Sequence, residues 1–120
     1  VGAAVVVVER LLQFSGQPVV FDQIYLVGDL FQGLTLDKLR NVEKSIYSLF
    51  EGEFGVRMIS AEEHLRAVAA DERSGGMLGV AIGQPLLLVE RTARSYGNKP
   101  VEWRRGFYNT ANHYYRNELG

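Results

Sequence analysis

Two β-rich runs near the start of the chain constrain its fold more than any other feature. The first is AAVVVVERLLQF and the second is VVFDQIYLV. The short segment SGQP, which contains a glycine and a proline, separates them. Because β-rich runs on either side of a short glycine-containing break form hairpins, the sequence predicts that the domain begins with two antiparallel strands.

A helical region is predicted after this hairpin. The segment TLDKLRNVEKSIYSLFEGEFG carries apolar residues at helical spacing in two pieces. Gly52 and Gly55 are predicted to end it, because glycine is common just after helix C-termini. Asp71 is placed to N-cap a second, shorter helix that ends near Leu78.

Further extended segments complete the predicted architecture. They are VRMISAEEHLRAV, PLLLVERTARSY, PVEWRRGFYN and the closing ANHYYRNEL, with the turn GNKP between the second and the third. Strands joined by tight turns pair antiparallel, and helices must then cover a face of the sheet. The predicted fold class is α+β, an antiparallel sheet with helices packed on it, in one domain.

Composition and charge exclude several classes of function. The 120 residues include 13 basic and 14 acidic side chains, without the cationic excess of a nucleic-acid binder. With no cysteine and two histidines, neither a disulfide nor a structural zinc site is expected, and no cofactor is predicted. The apolar start is too short to span a bilayer, and Glu9 and Arg10 interrupt it.

Motifs for catalysis or for binding a nucleotide phosphate are not found either. The glycines of GLTLDKL and RSGGMLG lack the sequence context of a phosphate loop. Ser45 does not lie in a nucleophile elbow. His64 is expected to be a half-exposed strand residue and His113 a surface or interface residue, so neither is predicted to act as a general base.

Three local features do suggest a binding site. Arg10 follows a run of valines, where an arginine either has an anionic partner or marks the exposed end of the strand. Ser45, two residues before Tyr47, either presents a helix N-terminus to an anion or is only a cap. Glu102, Arg104 and Tyr108 share one face of a strand, which is either the wall of a pocket or a charged, protected edge.

Several of these segments, taken in order, resemble one family. They are SGQPVVFDQIYL, SIYSLFEGEFGVRM, LGVAIGQPLLLVERT, GNKPVEWRRGFY and HYYRNEL. Together they are similar to the UTRA domain, the effector-binding half of HutC-type bacterial regulators in the GntR superfamily. The resemblance covers nearly the whole chain and implies a chorismate lyase-like fold with a pocket between sheet and helices.

The resemblance also implies partners and a cellular place. It implies that residues 1–120 form one UTRA effector-binding domain and bind a small-molecule effector, for which an anion is one candidate. A homodimer in the cytoplasm would contact DNA only through an N-terminal winged-helix domain. No such domain is visible here, and because the chain begins without methionine we expect it to be a fragment of a longer protein.

Carried over to this sequence, the family's effector site implies six residues: Arg10, Asp22, Ser45, Tyr47, Glu102 and Tyr108. Relatives that sense phosphosugars often have a second arginine on the first strand, where this chain has Leu12. Sugar phosphates, amino-acid catabolites, phosphonates and fatty acids are all effectors in such a family. Trp103 and Phe107 are expected on the opposite side of their strand, toward a partner subunit or packed helices.

Three functions compete at this stage. The leading hypothesis is a sensor of a small molecule that is not an enzyme. A chorismate lyase-like enzyme is the second, although the sequence lacks a convincing set of acids and bases. A dimerisation module with an empty pocket is the third.

Overall fold

The computed structural model describes residues 5–40 and 46–116, and its centre is a five-stranded antiparallel sheet. Along the sheet the strand order is β1-β2-β5-β4-β3, so β1 and β3 form its edges. This architecture confirms the predicted α+β class. The strands are β1 Val5–Phe14, β2 Gln17–Val27, β3 Ser60–Ala69, β4 Pro85–Arg94 and β5 Pro100–Tyr108.

The first two strands form the predicted hairpin through a two-residue turn. Ser15 and Gly16 both have positive φ, at 52° and 78°. A turn with positive φ at both central residues matches the right-handed twist of antiparallel strands, and glycine adopts that conformation at little cost. Pro18 lies just inside β2 rather than in the turn.

Three α-helices occur in the described residues: α1 Leu36–Arg40, α2 Ile46–Phe54 and α3 Glu72–Leu78. The prediction for α2 was wrong at Gly52, which lies inside the helix. Gly55 does follow the last turn, with φ 66°, and its N–H donates to the carbonyl oxygen of Glu51 at 3.1 Å. Gly52 continues the helix because packing, rather than intrinsic propensity, decides most helix interiors.

The predicted short helix is confirmed with its cap. Asp71 accepts a hydrogen bond from the backbone N–H of Ser74 at 2.8 Å, and the Ser74 hydroxyl accepts one from the N–H of Asp71 at 3.0 Å. These reciprocal bonds form a capping box that satisfies two N–H groups at the helix start. Residues 109–116, at the end of the described chain, belong to no helix or strand.

The helices cover part of each face of the sheet, with α1 and α2 on one face and α3 on the other. We call the face that carries Val8, Ile24 and Arg104 the front face, and the face that carries Val7, Tyr25 and Trp103 the back face. A core beneath α1 and α2 covers part of the front face and contains the buried residues Val8, Ile24, Leu26, Phe31, Phe50, Val56 and Val101. A second core beneath α3, on the back face, contains Phe21, Ala70, Leu78 and Leu86.

Trp103 and Phe107 both lie on the back face, as the alternation of β5 predicts. Their surroundings differ, however. Phe107 packs against the core beneath α3. Trp103 is 39% exposed and lies beside the Tyr25 ring, with 5.0 Å between the ring centroids. The back face is therefore covered by packed side chains at Phe107 and open to solvent at Trp103.

Candidate functional site

A cluster of charged side chains lies on the front face, beside the core beneath α1 and α2. The antiparallel register aligns Arg10 with Asp22 and Asp22 with Gly106 across three neighbouring strands. Two residues along β5 from Gly106, Arg104 lies opposite Arg91 of β4. Because side chains alternate between faces, these charged groups all project to the same side of the sheet.

Arg10 and Asp22 form a bidentate ion pair between β1 and β2. Nε of Arg10 donates to Oδ1 of Asp22 at 3.0 Å, and Nη2 donates to Oδ2 at 2.7 Å. The Asp22 side chain is 3% exposed and that of Arg10 is 26% exposed. Arg10 therefore has the anionic partner that its apolar surroundings predict, and this partner is itself one of the six predicted site residues.

Glu102 is the second buried carboxylate on the front face. Its Oε2 accepts a hydrogen bond from Nη2 of Arg104 at 3.1 Å, and its side chain is fully buried. The two residues are adjacent on one face of β5 because they are two positions apart. A fully buried carboxylate with an arginine partner is not a solvated edge group, and β5 is an interior strand of the sheet. The edge-strand alternative for Glu102, Arg104 and Tyr108 is therefore wrong.

Tyr108 occupies the end of β5 on the same face. Burial raises the pKa of its phenol above 10.0, and the charge of Asp22 raises it further. The ring lies close to Gly106, where an added Cβ would come within 3.0 Å of Cε1 of Tyr108. Glycine at position 106 thus leaves room for this ring above the sheet.

Three further residues extend the cluster and were not predicted from the sequence. The phenol of Tyr115 donates to Glu63, with 2.7 Å and 2.8 Å to its two carboxylate oxygens. Arg91 Nη1 lies 3.8 Å from Oε2 of Glu63. The Tyr115 ring packs edge-on against Tyr108 at 5.4 Å. Only the strand register, which no local motif encodes, brings Glu63 and Arg91 together.

Burial and the carboxylate of Glu63 raise the pKa of the Tyr115 phenol well above its usual value of 10.0. The phenol therefore remains a hydrogen-bond donor throughout the neutral range. Through this bond, the segment that follows β5 is held across the front face toward the edge strand β3.

The remaining predictions concern residues beside this cluster. Ser45 lies outside the described residues. Tyr47 is the second residue of α2, but the position of its side chain is not described. Leu12 lies two residues beyond Arg10 on the same face of β1 and is 40% exposed.

The two histidines lie apart from the charged cluster. His64 is an exposed residue of β3, with Nε2 2.5 Å from Oε2 of Glu62. The partly buried His113 packs edge-on against Phe14, with 5.4 Å between the ring centroids.

Across residues 5–40 and 46–116, no His, Asp and Glu side chains are grouped in threes or more to hold a metal ion. No helix in these two ranges is long and apolar enough to cross a membrane. What the front face does offer is a set of buried hydrogen-bonding charges, which can bind and orient a polar molecule.

Comparison with known proteins identifies the family. The family model described as "UTRA domain" matches residues 1–114. The chain belongs to the UTRA domain family. The resemblance to the UTRA domain found in the sequence is thereby confirmed.

Among relatives of this UTRA domain is the HTH-type transcriptional regulator Rv0792c of Mycobacterium tuberculosis. The two are 31% identical over 101 residues, which is 82% of this chain and 37% of that protein. The UTRA domain described here therefore spans little more than a third of that relative's length.

Solved structures agree with this family assignment. The ligand-binding domain of a protein from Bordetella bronchiseptica, assigned to the GntR family of transcriptional regulators, has a TM-score of 0.91 and 46% identity. That match covers 99% of this chain and 75% of the other. The effector domain of PhnF from Mycobacterium smegmatis has a TM-score of 0.82 at 23% identity, over 100% of this chain and 72% of the other, which shows a shared fold.

Proposed function

We propose that this UTRA domain is the ligand-sensing part of a bacterial GntR regulator of the HutC subfamily. Its effector binds on the front face of the sheet and contacts Arg10, Asp22, Glu102 and Tyr108, and Ser45 and Tyr47 remain candidate contacts. The effector then alters how the full-length protein binds DNA. The family membership and the GntR-family relatives support this proposal.

The observation that carries the proposal is the burial of charge on the front face. Asp22 and Glu102 are each 2% exposed. Removing a carboxylate from water is costly, and replacing a buried ion pair by apolar residues is often neutral or stabilising. Two buried carboxylates side by side, each paired with a partly exposed arginine, are therefore not what stability alone would select. A polar ligand that hydrogen-bonds to these charged groups accounts for their presence on the front face.

We also propose that the domain is not an enzyme. Asp22 and Glu102 are each hydrogen-bonded to an arginine, and an arginine neither gives up nor accepts a proton in the neutral range. Such a network holds a ligand in place but provides no acid–base pair for turnover. Incubation with each ligand that binds is expected to return the ligand unchanged.

The full-length protein is proposed to be a cytoplasmic homodimer that contacts DNA through an N-terminal winged-helix domain. The back face offers an apolar surface for dimerisation. Val7, Tyr25 and Trp103 are aligned across β1, β2 and β5, with Val7 52% and Trp103 39% exposed. Large contiguous apolar patches on a protein surface mark interaction sites, and this row of three side chains is the proposed centre of such a patch.

A ligand panel tests the proposed function. Thermal unfolding is followed with sugar phosphates, amino-acid catabolites, phosphonates and fatty acids, and a bound effector raises the midpoint because it binds only the folded state. The shift should vanish in Arg10→Ala and persist in Arg105→Ala, a matched arginine variant on the back face. Stabilisation that survives Arg10→Ala would place the ligand elsewhere. A panel with no stabilising member would favour a dimerisation module.

A further inference from the structure

An apolar cavity adjoins the charged cluster on the front face. Its volume is about 300 Å³, at the lower end of the range for small-molecule pockets. The register aligns Leu12, Val20 and Tyr108 in the row next to Arg10 and Asp22. Phe14, His113 and Tyr114 line the cavity together with these three residues.

Tyr108 joins the cavity to the cluster. It lines the cavity, and its ring also packs against that of Tyr115, whose phenol donates to Glu63. A ligand that spans Tyr108 would therefore have one end among charged groups and the other among apolar ones. The two environments are continuous on one face of the sheet.

The charges of the cluster are balanced among the described strand residues of the front face. Arg10 lies against Asp22, and Arg104 lies against Glu102. The third arginine, Arg91, lies 3.8 Å from the third carboxylate, that of Glu63. A phosphate dianion would add two negative charges to a balanced network, whereas a single carboxylate can share an arginine that is already paired.

We infer that the effector is an amphipathic carboxylic acid. This inference rests on the proposed function and adds the chemical class of the ligand. The carboxylate contacts the cluster at Arg10, and an aliphatic or aromatic body fills the cavity between Leu12 and His113. Leu12 is the specificity residue, because its apolar side chain accepts the body of the ligand and offers no charge to a phosphate.

A series of phenyl-substituted carboxylates tests the inference by calorimetric titration. Phenylacetate, phenylpropionate and phenylbutyrate carry the same charge and differ by one methylene at each step. Affinity should rise by about fourfold for each methylene that enters the cavity, which corresponds to about 0.8 kcal/mol. Acetate, inorganic phosphate and glucose 6-phosphate serve as probes without an apolar body, and each should bind more weakly than phenylbutyrate.

Leu12→Arg should reverse this preference. The variant is expected to lose at least about tenfold in affinity for phenylbutyrate and to gain affinity for inorganic phosphate, because a cation then lines the cavity next to Arg10. Ile82→Arg is the matched control, since Ile82 is 72% exposed and does not line the cavity. It should leave both affinities unchanged.

The outcomes separate the inference from the proposed function. Binding that requires Arg10 but is equal along the series, or strongest for glucose 6-phosphate, would overturn the amphipathic class and leave the effector site in place. Binding of the whole panel that is indifferent to Arg10→Ala would overturn the effector site as well. If no probe binds, both fail.

Discussion

Arg10 and Asp22 lie directly opposite each other on β1 and β2 and form a bidentate ion pair at 3.0 and 2.7 Å. The pair links the edge strand to the interior of the sheet at the point where the front face becomes polar. Its aspartate is buried and its arginine is partly exposed, so each partner has a different role. Asp22 fixes the guanidinium, and the guanidinium faces the proposed ligand.

Removing Arg10 should destabilise the domain. Arg10→Ala leaves the buried Asp22 carboxylate without this cation and should cost about 3 kcal/mol in the free energy of unfolding, the low end for breaking a buried pair. The control Arg105→Ala removes an arginine whose side chain is 41% exposed and should cost less than about 1 kcal/mol. Urea denaturation measures both. Equal losses in the two variants would contradict a structural role for the pair.

Replacing both partners should restore most of that stability. The double variant Arg10→Met/Asp22→Leu exchanges the ion pair for apolar side chains, a kind of change that is often neutral or stabilising. Its free energy of unfolding should lie within about 1–2 kcal/mol of the parent value. A double variant less stable than Arg10→Ala alone would show that the pair is required for folding.

Glu102→Gln reports on the ligand as well as on the site. If Glu102 accepts a hydrogen bond from a ligand hydroxyl, the amide oxygen can still accept it, and the affinity should fall by less than about tenfold. If Glu102 holds an ammonium group, the loss should be larger. Calorimetric titration with the effector distinguishes the two cases. An affinity that is entirely unchanged would remove Glu102 from the contact set.

The cap of α3 should make stability depend on acid pH. Two hydrogen bonds from Ser74 lower the pKa of Asp71 below 3.8. The bond from the backbone N–H has the larger effect and the bond from the hydroxyl the smaller one. A lowered pKa stabilises the folded state above the unfolded value, so this contribution is present above about pH 4 and is lost as the pH falls through the folded pKa. Asp71→Asn retains a cap without the charge, and its unfolding free energy should fall less steeply with acid. Parallel pH profiles would contradict this.

The Tyr115 phenol should ionise at a higher pH than an ordinary tyrosine. Burial and its bond to Glu63 raise its pKa above 10.0, so the neutral phenol stabilises the folded state below that pH and the contribution is lost as the pH rises further. Tyr108, whose pKa is also raised, should ionise in the same high-pH region. Ultraviolet titration of tyrosinate should therefore show a high-pH component that becomes smaller, but does not vanish, in Tyr115→Phe. A high-pH component of unchanged amplitude in Tyr115→Phe would contradict the bond to Glu63.

The apolar patch on the back face should mediate dimerisation. Val7→Lys places a charge within this patch, on the edge strand β1, and should convert the domain to a monomer in sedimentation at tens of micromolar, a rough working concentration for an interface of ordinary affinity. Thermal unfolding of the monomer serves as the folding control. A parent chain that already sediments as a monomer would contradict the proposed interface.

Much of the fold could be predicted because its signals are local. The hairpin around Gly16, the cap at Asp71 and the alternation of β5 each depend on a few neighbouring residues. Gly52 was assigned to a helix end because its local signal points to termination, but packing of α2 against the core keeps it helical.

The site was only partly predictable. Arg10 stands out because a charge among valines needs a partner, but the residue that satisfies it, Asp22, follows from register. Glu63, Arg91 and Tyr115 carry no local signal of a site. They lie together because β3, β4 and the segment after β5 meet on one face, and such long-range placement is set by the whole sheet rather than by any one segment.

The most direct test of the effector site is calorimetric titration of the identified effector into the parent and into Arg10→Met/Asp22→Leu. This variant removes the charges and is expected to keep the fold, which its urea denaturation curve checks before the titration, so that a loss of affinity is not attributed to unfolding. Since a charge-assisted hydrogen bond contributes roughly 1.5–3 kcal/mol, the dissociation constant should rise by about ten- to a hundredfold. An unchanged dissociation constant in the folded variant would contradict the proposed effector contact at Arg10 and Asp22.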